Sequence, residues 1–179
     1  LADFEEVALP DPEDRLAVIT ATIDLPLRDW GSAEARRAAA DRALAALHDV
    51  DRKLATPAEL ADLGQAAKRA AMRAMWAARC KGRSHLPVEL QAIRIGEAAF
   101  VSAPLEIFAL TGARVREASP FAVTQLAGYS NGWEGYVPLA SDFPRGGYEV
   151  EWASPFTEEA GALLEQRALD LLARLALIG

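Results

Sequence analysis

The 179-residue sequence has little cysteine and no long apolar run, and each scarcity excludes a class of protein. The single thiol, Cys80, excludes an internal disulfide and fits a reducing compartment. No apolar segment approaches the ~20 residues that cross a bilayer, so we expect no transmembrane segment. Residues 1–15 lack the basic and apolar regions of a signal peptide, which favours a cytoplasmic location.

Positive charge is also scarce. The sequence has 26 acidic residues against 19 lysines and arginines, which gives a net charge of −7. Binding to a phosphate-rich surface requires a concentrated basic face, so nucleic acids and anionic membranes are not expected as partners. The short basic cluster of Arg79, Lys81 and Arg83 is interpreted as the end of a helix, where cations complement the helix dipole.

Common catalytic motifs are missing as well. The two histidines, His48 and His85, lie in no HExxH or HxH pattern, and neither a GxSxG motif nor a Walker loop occurs. No recognised spacing of these residues gives a closed zinc site. The sequence therefore assigns no nucleophile or general base.

The clearest pattern that is present runs through the centre of the chain. Alternating apolar residues over 88–95, a turn at Gly96-Glu97 and an apolar run over 98–101 predict two adjacent strands. Helical spacing over 105–117 and a third strand over 121–127 follow. A glycine-rich loop comes next, and a short strand is possible over 148–152.

The flanking segments complete the prediction of one α/β domain, with α+β as the alternative. Residues 1–15 are interpreted as an acidic connector and residues 16–27 as a strand. Helices are predicted over 33–49 and 57–80, with Ser32 and Thr56 as their N-caps, and over 157–177. We expect a mixed sheet that contains the strands 16–27, 88–95, 98–101 and 121–127, covered by these helices.

Two oxygen-bearing side chains are expected at the same edge of this sheet. Glu106 follows the second central strand and Tyr136 lies in the loop after the third, where ligands of open α/β sheets bind. Alternatively, Glu106 is a carboxylate that stabilises the first turn of a helix, and Tyr136 is a loop aromatic that covers the core. Trp133 and Trp152 either line the mouth of this cleft or pack internally.

These segments also resemble a known family. Four segments resemble, in the same order, the C-terminal part of the catalytic region of the neutral (non-lysosomal) ceramidases. They are LQAIRIGEAAFVSAPLEIF, ASPF, GYSNGWEGYVP and GGYEVEWASPF, whereas residues 1–85 match only loosely. The resemblance implies that Glu106 and Tyr136 complete a zinc site whose two histidine ligands lie upstream. Leu105 stands where the family usually has glycine, and the family's upstream histidine motifs and nucleophilic serine have no counterpart here.

The resemblance further implies the distal portion of a zinc-dependent amide hydrolase that cleaves an N-acyl amide such as ceramide to a fatty acid and an amine. Residues 1–179 would be a single domain or the C-terminal portion of a larger catalytic domain, with the upstream segment of the same protein as partner. A first residue other than methionine fits that expectation. We expect the chain alone to be inert, since two oxygen ligands are fewer than a zinc hydrolase needs. The alternative is a non-catalytic scaffold or interaction domain derived from the same fold.

Overall fold

A computed structural model describes residues 16–178 and gives the order of the elements within that range. The strands are β1 (Leu16–Pro26), β2 (His85–Ile95), β3 (Ala98–Ser102), β4 (Glu106–Ile107), β5 (Val123–Ala127) and β6 (Tyr136–Val137). The helices are α1 (Ala33–Asp49), α2 (Pro57–Cys80), α3 (Ala109–Ala118), α4 (Tyr148–Glu151) and α5 (Ala160–Ala176), with a 3₁₀ helix over Ala140–Arg145.

The main sheet has four strands in the order β1-β2-β3-β5. Strand β2 pairs antiparallel with both β1 and β3, and the turn at Gly96 closes the β2–β3 hairpin. Strand β3 pairs in parallel with β5, because helix α3 carries the chain back to the starting edge. The predicted α/β fold with a mixed sheet flanked by helices is therefore confirmed.

Helix α5 supplies much of the core that covers this sheet. Alternate residues of β2 are buried, as expected for a strand with one face against a core. Burial of a leucine side chain contributes about 1.5–3 kcal/mol, so the apolar stripe of α5 is a major source of stability. The buried residues of the stripe are Ala160, Gly161, Leu164, Ala168, Leu171, Leu172 and Leu175.

Helices α1 and α2 form a helical hairpin with the capping interactions that the sequence predicts. The side chain of Ser32 accepts a hydrogen bond from the backbone N–H of Ala35. Thr56 and Glu59 form a reciprocal capping box at the start of α2. None of the residues of α1, which lies wholly within the described range, is buried, whereas α2 buries Trp76 and Cys80 among others.

Two predicted elements differ from the structure. The helix predicted to begin at residue 105 begins at Ala109, because the backbone of Leu105 and Glu106 bonds to the glycine-rich loop instead. Residues Tyr148–Glu151 form a helical turn and not a strand, since the N–H of Glu151 donates to the carbonyl of Gly147 at 2.8 Å. The predicted connector over residues 1–15 lies outside the described residues, and within residues 16–178 no helix is long and apolar enough to cross a membrane.

Candidate functional site

Glu106 and Tyr136 are paired directly across a small parallel ladder. Strands β4 and β6 form a separate two-stranded sheet in which Glu106 is in register with Tyr136, and Ile107 with Val137. The N–H of Glu106 donates to the carbonyl of Gly135 at 2.9 Å, and the N–H of Tyr136 donates to that of Ala153 at 3.1 Å. Backbone hydrogen bonds thus hold the two predicted site residues side by side.

The carboxylate of Glu106 is buried, with 8% of the residue exposed. A buried carboxylate is stable only when hydrogen-bond donors or counterions replace the lost water. The indole N–H of Trp133 donates to Glu106 Oε1 at 2.6 Å. Interaction of the Tyr136 hydroxyl with this carboxylate, together with burial, raises the pKa of Tyr136 well above its ordinary value.

Tyr129 is a further member of the site that the sequence did not predict. Interaction of its hydroxyl with the Glu106 carboxylate is the main reason why the pKa of Tyr129 is raised. The backbone of Tyr129 has φ +56°, a left-handed conformation that a non-glycine residue rarely adopts. A sequence pattern does not show this conformation, so the only available signal was a tyrosine next to a glycine in a loop.

An aromatic surface surrounds Tyr136. The ring of Phe108 meets it edge to face with centroids 6.2 Å apart, and the ring of Tyr148 does so at 6.1 Å. Tyr148 in turn contacts Trp152, which is buried, so Trp152 packs internally and does not line a rim. Trp133 is partly buried and bonds to Glu106, so it belongs to the site itself.

The structure decides one of the alternatives for Glu106 and places its neighbour Leu105. Glu106 does not lie in the first turn of a helix, because α3 begins at Ala109 after the N-cap Phe108. The dipole therefore does not account for its position. Leu105 is fully buried in the hydrophobic core. Its side chain consequently packs away into the core.

Glu106 and Tyr136 fit part of a zinc site. A carboxylate oxygen is a usual zinc ligand, and a tyrosine oxygen lies beside it. Residues 16–178 contain no group of three or more histidine, cysteine, aspartate or glutamate residues that could hold a metal. His48 and His85 are exposed on α1 and at the start of β2. The fit is thus to two oxygen ligands, with nitrogen ligands required from elsewhere.

A large cavity lies apart from the candidate site. A cavity of about 780 Å³ lies between α1 and α2 and is lined by Leu44, Ala67 and Met75 among others. Neither Glu106 nor Tyr136 lines it. The chemistry-bearing side chains therefore lie apart from the apolar space between these two helices.

The chain is similar to solved structures of ceramidases. No family model and no curated protein match the chain. Among solved structures, a ceramidase complexed with C2 is 25% identical over 51% of this chain and 16% of that chain, with a TM-score of 0.43. The neutral ceramidase from Pseudomonas aeruginosa is 19% identical over 90% of this chain and 29% of that chain, with a TM-score of 0.47. Since both TM-scores are below 0.5, neither likeness assigns a family or an activity.

Proposed function

We propose that this chain is the distal portion of a zinc-dependent amide hydrolase that resembles neutral ceramidase, with Glu106 and Tyr136 as two oxygen ligands of the metal. The in-register pairing of these two residues carries the proposal. Four sequence segments resemble the neutral ceramidases in the same order, and this resemblance implies that Glu106 and Tyr136 are the two oxygen ligands. The pairing brings two oxygen-bearing side chains that are 30 positions apart in the chain next to each other, as two ligands of one metal require.

The substrate class follows from the resemblance and from the surroundings of the site. Bound zinc would polarise an amide carbonyl and activate water. Glu106 would bind the metal through its carboxylate, and Tyr136 through its phenol oxygen. The partly exposed rings of Phe108 and Tyr148 beside Tyr136 offer apolar surface for an acyl chain, as an N-acyl amide such as ceramide requires.

The remaining ligands would come from the upstream segment of the same protein. A hydrolytic zinc site needs about three protein ligands and an open position for water. Two oxygen ligands would hold zinc weakly, so we expect the purified chain with added zinc to be inactive towards an N-acyl sphingoid amide. Activity is expected once the upstream segment is supplied.

Zinc binding by the purified chain tests the proposal directly. In a Zn²⁺ titration followed by ¹H–¹⁵N NMR, the backbone amides of Glu106, Gly135 and Tyr136 should shift and saturate. Glu106→Gln should raise the zinc Kd at least tenfold, because an amide is a poorer ligand than a carboxylate and even the loss of an outer partner costs 10–100-fold. Tyr136→Phe should also raise it.

Glu89→Gln is the matched control, since it removes one carboxylate from an exposed position on β2. It should leave the zinc Kd unchanged. Equal Kd values for the wild type, Glu106→Gln and Tyr136→Phe would contradict the proposal and would favour the alternative, a scaffold or interaction domain without a metal.

A further inference from the structure

We infer that Trp133 is a positioning residue for Glu106, and that helix α2 holds Trp133 in place through Trp76 and Arg79. The inference rests on the proposed function, because it concerns how the carboxylate is presented to a metal. Trp76 and Arg79 precede the segments that resemble the ceramidases. The inference gives these two residues a role in holding the site.

The contact between Trp133 and Glu106 restricts the carboxylate. The terminal torsion of a glutamate side chain is broad, so an unrestrained carboxylate group rotates over a wide range. The distance of 2.6 Å from Trp133 Nε1 to Glu106 Oε1 is that of a strong, charge-assisted hydrogen bond. Because Glu106 is 8% exposed, water cannot readily replace this donor. One oxygen is therefore fixed, and the plane of the carboxylate with it.

The indole of Trp133 is itself held against helix α2. Its ring lies on that of Trp76, with centroids 5.5 Å apart and planes tilted by 30°. Trp76 is 1% exposed, and its own N–H donates to the carbonyl of Trp152 at 2.7 Å. The surface on which Trp133 rests is thus a rigid part of the core.

Arg79 holds the backbone of the same loop. Its Nη2 donates to the carbonyl oxygen of Trp133 at 2.8 Å and lies 2.8 Å from Oε2 of Glu134. The guanidinium also lies over the rings of Trp76 and Trp133, at 5.8 Å and 5.6 Å from their centroids. A lysine could not make this set of contacts, because only a planar guanidinium can bond at its edge and stack on its face.

The hydrogen bond can be tested without any metal. The four tryptophans give four indole N–H resonances, and Trp133→Phe identifies the one from Trp133. We expect this resonance to lie downfield and to exchange slowly with solvent. It should move upfield in Glu106→Gln, where the acceptor loses its charge. If it is the same in the wild type and in Glu106→Gln, the inference is wrong, whatever the zinc data show.

The role towards the metal is tested by the zinc Kd. Trp133→Phe keeps an aromatic ring but removes the N–H donor, and we expect a 10–100-fold higher Kd, as for other outer partners of metal ligands. The control Trp30→Phe removes an indole donor that bonds to the carbonyl of Pro155, and should leave the Kd unchanged. If Trp133→Phe also leaves it unchanged while Glu106→Gln raises it, the positioning role is refuted and the proposed function stands.

A second pair of variants tests the support from α2. Arg79→Lys should move the Trp133 indole resonance and raise the zinc Kd. Arg83→Lys should do neither, because within residues 16–178 the side chain of Arg83 bonds to the helix-terminal carbonyls of Arg79 and Cys80 and not to the loop of Trp133. An unchanged resonance in Arg79→Lys would refute the role of α2. A zinc Kd that Glu106→Gln does not affect would refute the proposed function, and the positioning role with it.

Discussion

Gly135 faces Trp76 so closely that no side chain fits between them. A Cβ atom at Gly135 would lie 3.0 Å from Cη2 of Trp76 and 2.7 Å from the carbonyl oxygen of Ala153, and the residue has φ +96°. The backbone that precedes Tyr136 is therefore pressed against α2 on one side and against the segment after α4 on the other. Only glycine satisfies both the space and the conformation.

Gly135→Ala should accordingly destabilise the protein. A backbone held in a rare conformation costs about 1–3 kcal/mol, and the contact with a carbonyl oxygen adds to that cost. The measurement is the free energy of unfolding in urea. The control is Gly64→Ala in α2, where a Cβ atom would meet nothing within 4 Å. We expect this substitution to raise the free energy of unfolding by about 0.5–1 kcal/mol. Equal stabilities of the two variants would contradict this account.

The phenol of Tyr136 should titrate above the ordinary tyrosine pKa of about 10, because its hydroxyl interacts with the Glu106 carboxylate and is partly desolvated. In the unfolded chain the same phenol ionises at the ordinary value. The contribution of the protonated Tyr136 phenol to the stability of the fold is therefore fully present below about pH 10. It is lost as the pH rises through the raised pKa. Titration of the phenolate absorbance, compared with Tyr136→Phe, measures this pKa.

Glu106→Gln is expected to lower the pKa of both Tyr136 and Tyr129 towards the ordinary value, since the carboxylate is the largest cause of both shifts. If both pKa values are the same in the wild type and in Glu106→Gln, the Glu106 carboxylate does not interact with these hydroxyls in solution.

Helix α5 offers a matched test of the core. Leu164 is fully buried and its neighbour Leu163 is 43% exposed. We expect Leu164→Ala to lower the free energy of unfolding by about 2–5 kcal/mol through cavity formation, and Leu163→Ala to change it by less than about 0.5 kcal/mol. Thermal or urea unfolding of the two variants measures this difference. A larger loss of stability in Leu163→Ala than in Leu164→Ala would mean that α5 packs through its other face.

Local signals explain why much of the fold was predictable. The caps at Ser32 and Thr56 fixed the starts of α1 and α2, and the alternation over 88–95 with a glycine turn identified the β2–β3 hairpin. The order strand, helix, strand also led to the expectation that Glu106 and Tyr136 lie near one another. Each of these inferences depends on residues that are close in sequence or on a topology with few alternatives.

Contacts over long sequence distances explain the errors. The predicted helix over 105–117 includes Glu106, because no local sequence pattern indicates the backbone hydrogen bond from Glu106 to the carbonyl of Gly135. The bond from Arg79 to the carbonyl of Trp133 joins residues 54 positions apart, so Arg79 was interpreted only as a cation at a helix end. Tyr129 has no sequence signature, because its role depends on a left-handed backbone conformation.

Helix α1 differs from its partner in the hairpin in a way that bears on the dynamics of the molecule. None of its residues is buried, whereas α2 is anchored in the core by Trp76. An element with so little burial opens at a low free energy, independently of global unfolding. We expect the amides of α1 to exchange with deuterium long before those of α5. Because Trp76 and Arg79 belong to α2, such opening of α1 would leave the surroundings of Glu106 unchanged.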